Sequence, residues 1–148
     1  MGDAWQQHLL TSDSQIRELL DTIRTVAVLG ARPASMSHKA AFYVPQALQQ
    51  MGLAIRPVVV HEHQDHQILG EPVHRRLADV PGPIDLVDVF RRPQDLPPHL
   101  DDILASRPGA VWLQSGIRHD AFAERLAREG IQVVQDRCLM VEYRARER

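Results

Sequence analysis

Short apolar runs alternate along the chain with segments in which apolar residues recur every three or four positions. The apolar runs predict strands at residues 25–29, 54–60, 84–89, 110–113 and 131–134. The helical spacing predicts helices at about 13–23, 38–51, 97–106 and 120–129. A run that is apolar throughout is typical of a strand buried on both faces of a parallel sheet. The alternation therefore predicts an α/β protein: a single domain with a mostly parallel sheet of about five strands and helices on both faces.

Local signals refine these elements. Ser12, followed three residues later by Gln15, has the pattern of a helix N-cap. Pro45 lies inside the second helical segment, and we expect it to bend that helix or mark its edge because proline disrupts helical hydrogen bonding. Residues 61–80 are polar and irregular, with a short strand expected near 72–74.

The predicted sheet indicates where a ligand would bind. In an open parallel sheet, ligands lie beyond the carboxyl ends of the strands, where the strand order reverses. The loops at that edge begin at Gly30, His61, Phe90 and Gln114. Gly30 allows backbone N–H groups to approach a phosphate ahead of a helix, but one glycine falls short of the dinucleotide fingerprint and also suits a plain turn. Four residues that favour a phosphate crowd the same turn, although the serines equally suit helix caps: Arg32, Ser35, Ser37 and Lys39.

Length and charge narrow the function classes. A chain of 148 residues has room for one compact domain. The net charge of −2 gives no general attraction to nucleic acid or an anionic membrane, so an anion site has to be local. The single Cys138 excludes an internal disulfide, and the chain shows neither a basic and apolar leader nor an apolar run long enough to span a membrane. These features predict a cytoplasmic protein.

Five segments in order resemble a known family. They are VAVLGA at 26–31, ILGEPV at 68–73, DLVDVFRR at 85–92, VWLQSGIR at 111–118 and DRCL at 136–139. Together they resemble the small stand-alone CoA-binding proteins, which are similar to the CoA-binding domain of the succinyl-CoA synthetase α subunit. The resemblance covers about residues 16–143. It implies one Rossmann-like domain over residues 1–148 that binds coenzyme A or an acyl-CoA.

Position in the predicted sheet assigns roles to the residues of such a site. We expect the backbone amides of Gly30 and Ala31, with Arg32 and Ser37, to hold the pyrophosphate. The expected cofactor-binding residues are Gly30, Ala31, Arg32, Pro33, Ser35, Ser37, Lys39, Val60, His61, Phe90, Arg91, Gln114, Gly116 and Ile117. The sequence departs from the family at Arg32, where a small residue is common, and at His61 and Glu62, where an Asn-Pro pair is usual.

The remaining predicted residues are assigned to different parts of coenzyme A. Lys39 or a protonated His61 is expected to serve the 3′-phosphate, and Arg91 is available to a phosphate. Val60 and Phe90 would flank the adenine or the pantetheine arm, although Phe90 is as well explained by core packing. Gln114 and Gly116 would hydrogen-bond the pantetheine amides, and Trp112 is expected in the core.

Two other ligand classes compete with coenzyme A. Residues 61–66, HEHQDH, match the H-x-H-x-D-H ligand string of zinc-dependent metallo-β-lactamase-fold hydrolases. That fold usually needs more than about 200 residues and further ligands from distant loops, so a solvated polar loop is the favoured interpretation. An NAD(P)-binding protein is the second alternative, because Glu62 follows the second strand, where a carboxylate can accept from ribose hydroxyls.

The sequence predicts binding without catalysis. No nucleophile–base pair stands out, and the synthetase relatives react through a phosphorylated histidine and an ATP-grasp partner for which this chain is too short. Cys138 follows the last strand, so a mixed disulfide with the CoA thiol is one hypothesis, but a buried, inert thiol is favoured. Three arginines in the C-terminal tail, residues 144–148, are expected to be solvated or to contact an acidic protein partner. The sequence leaves the oligomeric state open.

Overall fold

Five parallel strands form one sheet in a computed structural model that describes residues 4–61 and 65–146. The sheet strands are β1 (Thr25–Leu29), β2 (Ala54–Val58), β5 (Leu86–Val89), β6 (Ala110–Leu113) and β7 (Gln132–Val134), in the order β2-β1-β5-β6-β7. A small antiparallel pair, β3 (Gln67–Ile68) and β4 (Glu71–Pro72), lies outside it. The helices are α1 (Asp13–Leu20), α2 (Ala40–Gln50), α3 (Leu100–Ser106), α4 (Asp120–Arg128) and α5 (Leu139–Ala145).

Helices cover both faces of the sheet, which confirms the predicted fold class. Alternate residues of β1 point to opposite sides, as in any strand. Val26 and Val28 pack in one core with residues of α1, α2 and α5, whereas Ala27 and Leu29 pack in the other with residues of α3 and α4. Trp112 is fully buried in the first core, as predicted.

The order of strands reverses between β1 and β5. From β1 the chain moves outward to β2, and then returns across the sheet to β5 on the other side of β1. This is the strand order of flavodoxin-type doubly wound sheets. The loops that follow β1 and β5 leave the sheet in opposite directions, so a crevice opens between them at the carboxyl edge.

Helix α2 runs through Pro45, so this proline does not mark the edge of the helix. Proline lacks the N–H that would bond to the carbonyl four residues earlier, Ala41. That carbonyl instead accepts the backbone N–H of Arg32 at 3.3 Å. The proline thus frees an acceptor that ties the loop after β1 to the first turn of α2.

The C-terminal residues are helical where a tail was expected. Helix α5 includes Arg144, and Leu139 and Tyr143 bury its inner face in the core shared with α1 and α2. The guanidinium carbon of Arg146 lies 3.9 Å from the centre of the Tyr143 ring. Arg148 lies outside the described residues.

The opposite end of the chain covers the edge of the sheet. Residues Ala4–His8 form a 3-10 helix, and Leu9 then pairs with Val133 of β7 in parallel. The N–H of Leu10 donates to the Val133 carbonyl at 2.9 Å. Among the described residues, no helix combines the length and apolar character that a membrane span requires.

Candidate functional site

A cleft of about 430 Å³ opens where the strand order reverses. The loops after β1, β5 and β6 and the first turns of α2 form its walls. Seven of the residues predicted for the site line it: Arg32, Lys39, Phe90, Arg91, Gln114, Gly116 and Ile117. They come from three loops far apart in sequence, which only the topology of the sheet brings together.

The other seven predicted residues do not line this cleft. Ala31 and Pro33 are buried, and Ser35 and Ser37 are exposed. Val60 packs against the core beside α3 and α4. His61 is exposed next to the cleft. Gly30 lies beneath the cleft and has a structural role.

Gly30 holds the loop after β1 against the loop after β5. Its φ is +94°, and a Cβ at this position would lie 2.7 Å from the carbonyl oxygen of Phe90. The N–H groups of Gly30 and Ala31 both donate to the Val58 carbonyl, at 2.9 and 3.1 Å. This corrects the expectation that these two amides hold a pyrophosphate, because both are already used inside the fold.

The start of α2 supplies free amides instead. The first two N–H groups of a helix have no acceptor within it, and those of Ala40 and Ala41 find none elsewhere in residues 4–61 and 65–146. Lys39, at the N-cap, makes no side-chain capping bond. Lys39, Ala40 and Ala41 all line the cleft, so the positive end of the helix dipole faces it.

Cationic side chains gather at the same end of the cleft. Arg32, Lys39, Arg91 and Arg92 contribute to its wall. His61 lies close enough to sense this charge: partial desolvation, and then the positive charges of Arg32 and Arg91, lower the pKa of its imidazole. This end of the cleft is therefore strongly electropositive although the chain is slightly acidic.

The Arg91 side chain is held in place from outside the cleft. Its Nε donates to Nε2 of His99 at 3.2 Å, and Asp95 lies 4.0 Å from its Nη2. Burial and the neighbouring Arg91 lower the pKa of His99, which keeps the imidazole neutral and able to accept this bond. Arg91 is thus positioned by a neutral imidazole and by one carboxylate, Asp95, which pairs more closely with Arg92, at 2.9 Å.

The other end of the cleft is neutral. Gln114 is only 5% exposed, and its Oε1 accepts the N–H of Leu139 at 3.0 Å. Its amide Nε2 donates to no acceptor in the described part of the chain. The N–H of Gly116 donates to Oδ1 of Asp136 at 2.6 Å, so of the two expected pantetheine donors only the Gln114 amide remains available. Ile117 and Cys138 complete this end.

The Asp-Arg-Cys motif supports the loop that follows β6. Besides accepting from Gly116, Asp136 donates its own N–H to the Ile117 carbonyl at 3.1 Å. Its φ of +58° is in the left-handed region, which aspartate tolerates better than most residues. The Arg137 carbonyl accepts Nε1 of Trp112 at 2.7 Å. The motif thus joins the loops after β6 and β7 into one wall of the cleft.

Several lining residues were not predicted. They are Ala40, Ala41, Tyr43, Val44, Arg92, Pro93, Ser115 and Cys138. Arg92 and Ser115 belong to loops that the carboxyl-edge rule identified, and Cys138 was considered only for its thiol. Tyr43 carried a usable signal, since it is a large aromatic residue, 43% exposed, on the outer side of an otherwise regular amphipathic helix. The small residues Ala40 and Ala41 contribute through their backbone, which no side-chain pattern reveals.

A buried carboxyl lies in β5 next to Val28 and Trp112. Asp88 is fully buried, and neither of its oxygens has a hydrogen-bond partner in the described structure. Burial raises the pKa of Asp88 well above its usual value, so the side chain is neutral. It does not line the cleft.

A second hollow, of about 480 Å³, lies at the β7 edge beside Trp5 and Leu9. Its charged residues are already paired: Arg118 bonds to Asp120 at 3.1 Å, and Arg137 bonds to Asp13 at 3.1 Å. The start of α4 at Asp120 lies in its wall, but its charged lining has two cations, Arg118 and Arg137, against three carboxylates, Asp120, Glu124 and Asp136. The cleft at the strand reversal is therefore the stronger candidate for an anionic ligand.

The histidine string falls partly outside the described residues. Glu62, His63 and Gln64, on which the zinc-site and NAD(P) interpretations depend, lie outside the described residues. Among the described residues, no group of three or more His, Cys, Asp or Glu side chains is placed to hold a metal ion.

Comparisons with known proteins agree with the geometry. The sequence profile of a family described as a CoA binding domain matches residues 24–144. An uncharacterized protein of Bacillus subtilis, YneT, is 31% identical over 134 residues, which cover 89% of this chain and 94% of that protein.

Solved structures show the same fold. A Thermus thermophilus protein, described as cell-free ID.343, is 43% identical and superposes with a TM-score of 0.85 over 92% of this chain and 99% of its own. A hypothetical protein from Pyrococcus horikoshii OT3, 24% identical, superposes with a TM-score of 0.83 over 93% of this chain and 94% of its own. The second likeness concerns the fold alone.

Proposed function

The chain belongs to the CoA binding domain family, and we propose that it binds coenzyme A or an acyl-CoA in the cleft at the carboxyl edge of the sheet. Family membership supports coenzyme A binding in general. The observation that supports this particular site is the division of the cleft into an electropositive end and a neutral end. Coenzyme A has the same division, with phosphates at one end and an uncharged pantetheine arm at the other.

The electropositive end suits the phosphates. The open amides of Ala40 and Ala41 at the start of α2 form an anion site of the kind that binds phosphate at helix N-termini. Arg32, Lys39 and Arg91 add charge from three sides. We place the pyrophosphate at this helix start, where Lys39 and Arg91 flank it, and leave the 3′-phosphate to Arg32 and His61.

The neutral end suits the pantetheine arm. The Nε2 of Gln114 donates to no acceptor in the described residues, and Gln114 lines the cleft, so this N–H is free to donate to a ligand. The pantetheine arm carries two amide carbonyls that can accept it. Phe90, Val44 and Ile117 provide the apolar surface beside it. The cleft volume also lies within the usual range for small-molecule sites, about 300–1,000 Å³.

We propose binding without catalysis by this chain alone. Coenzyme A, when bound, brings a thiol that carries acyl groups, and the residues of the cleft hold and orient its arm. A role in sensing or delivering coenzyme A to a protein partner in the cytoplasm follows from this proposal.

Titration calorimetry tests the proposed function. Wild-type protein should bind coenzyme A at one molecule per chain and should bind NAD at least about tenfold more weakly, a difference of about 1.4 kcal/mol. Arg91→Ala should lose tenfold or more in affinity, because a charged hydrogen bond contributes about 1.5–3 kcal/mol.

The matched control is Arg24→Ala, since Arg24 is exposed just before β1 at the opposite edge of the sheet. It should bind coenzyme A like the wild type. Equal losses in both variants, tighter binding of NAD, or hydrolytic activity that appears on addition of zinc would contradict the proposal.

A further inference from the structure

Cys138 lines the cleft, and its side chain packs in part against the first core. A buried, inert thiol was favoured from the sequence, but Cys138 is only partly buried and lines the neutral end of the cleft with Gln114 and Ile117. It is also the single cysteine of the chain. A cysteine at this place lies next to the uncharged end of a bound ligand.

A second observation marks the same end as a ligand site. Gln114 is only 5% exposed, and it lines the cleft beside Cys138. Its Oε1 is fixed by the Leu139 N–H, which orients the side-chain amide. The Nε2 of that amide donates to no acceptor in the described residues and is not one of the buried atoms without a partner, so it opens into the cleft. A ligand group that accepts a hydrogen bond therefore belongs next to Cys138.

The charges of the cleft set the direction of the ligand. The cations Arg32, Lys39 and Arg91 and the start of α2 lie at one end, so the phosphates of a coenzyme A molecule bind there. The arm then extends along Phe90 toward Gln114, and its sulfur comes last. The sulfur end of the ligand and Cys138 are thus directed to the same part of the cleft.

We infer that Cys138 is a site of disulfide exchange with coenzyme A disulfides, which builds on the proposed coenzyme A site. The Cys138 sulfur attacks one sulfur of the disulfide, the bond between the two ligand sulfurs breaks, and a bond between Cys138 and one coenzyme A forms. The second coenzyme A leaves as a thiol and takes up the proton that Cys138 gave up. Oxidation in the coenzyme A pool would thereby lock a molecule of the ligand into the cleft.

Intact-mass spectrometry of the whole protein tests this inference, because one cysteine can give only one adduct. Reduced protein is mixed with coenzyme A disulfide or, at the same concentration, with glutathione disulfide. The adduct should form at least tenfold faster with coenzyme A disulfide, and free ADP should slow that reaction. Arg91→Ala should slow the reaction with coenzyme A disulfide, whereas the control Arg24→Ala should react with coenzyme A disulfide as fast as the wild type. Cys138→Ser should give no adduct.

Equal rates with the two disulfides, or no adduct at all, would overturn the inference. Calorimetry of the wild type with reduced coenzyme A under reducing conditions separates this failure from a failure of the proposed function. If the wild type binds reduced coenzyme A but forms no selective adduct with the disulfide, the exchange reaction is wrong and the binding site stands. If it does not bind reduced coenzyme A, the proposed function itself fails.

Discussion

Asp88 places an ionisable group where the sheet is most completely buried. With no hydrogen-bond partner among the described residues, its carboxyl is held neutral by burial, which raises its pKa well above the usual value. A carboxyl that is protonated in the folded protein and ionised in the unfolded chain lowers stability as the pH rises above its unfolded pKa. Each unit of pKa difference corresponds to about 1.4 kcal/mol.

Asp88→Asn should therefore remove this pH-dependent loss. At pH 4 we expect the free energies of unfolding of variant and wild type to be similar. At pH 7 the variant should be more stable by more than about 1 kcal/mol, since the wild type alone has to keep a carboxyl protonated. Urea unfolding at several pH values measures the difference. Exposed Asp101→Asn is the control, and a gain of the same size there, or none at Asp88, would argue against a neutral Asp88.

Gly30 is required by its surroundings as well as by its backbone angle. Gly30→Ala should destabilise the protein through a left-handed backbone, about 1–2 kcal/mol, and through the clash with the Phe90 carbonyl. Gly82→Ala is a matched control, because its φ is +78° and a Cβ there meets nothing within 4 Å. Thermal unfolding should show Gly30→Ala less stable than the control by about 1–3 kcal/mol. Equal losses in the two variants would mean that the close contact between the two loops is not real.

At the scale of elements, the sequence predicts the strands better than the ends of the chain. The core strands match within two residues because continuous apolar runs have few alternatives to a buried parallel sheet. Helix α5 was missed, since it has no capping side chain and is stabilised by the burial of Leu139 and Tyr143 against α1 and α2. Such packing is a tertiary effect that local patterns do not carry.

About half of the candidate site could be predicted from the sequence, for a related reason. The carboxyl-edge rule identified the loops after β1, β5 and β6, and with them Arg91 and Gln114. It did not identify the donors, because the amides of Gly30 and Ala31 bond to Val58 across the sheet. Which backbone groups remain free depends on strand pairing and on the start of α2, neither of which side-chain identity reveals.

The contact between the loops after β6 and β7, in which Asp136 accepts the N–H of Gly116, can be tested by mutation. Asp136→Ala should loosen the loop at 114–117 and weaken coenzyme A binding about tenfold, for the loss of a charged hydrogen bond worth about 1.5 kcal/mol. Calorimetry with ADP should show no change, because the phosphates bind at the other end of the cleft. Asp136→Asn keeps an acceptor and tolerates the left-handed backbone, so it should bind coenzyme A nearly as wild type does. A loss of ADP affinity in Asp136→Ala would indicate a general disturbance of the fold instead.

In the molecule as a whole, cationic side chains are concentrated in one cleft although the net charge is negative. The chain carries a net charge of −2, yet one end of one cleft gathers Arg32, Lys39, Arg91 and Arg92 beside an open helix start, and of these Arg92 pairs closely with Asp95. The larger hollow near Trp5 pairs its charges internally. Strand order creates the crevice, the loops bring cations to one end of it, and the buried amide of Gln114 defines the other end.

A crystal structure of the protein with coenzyme A tests this account most directly. We predict electron density for the ligand in the cleft at the strand reversal, with the phosphates at the start of α2 beside Lys39 and Arg91 and the thiol near Cys138. Ligand density in the hollow beside Trp5, or an arm that runs away from Gln114, would contradict it.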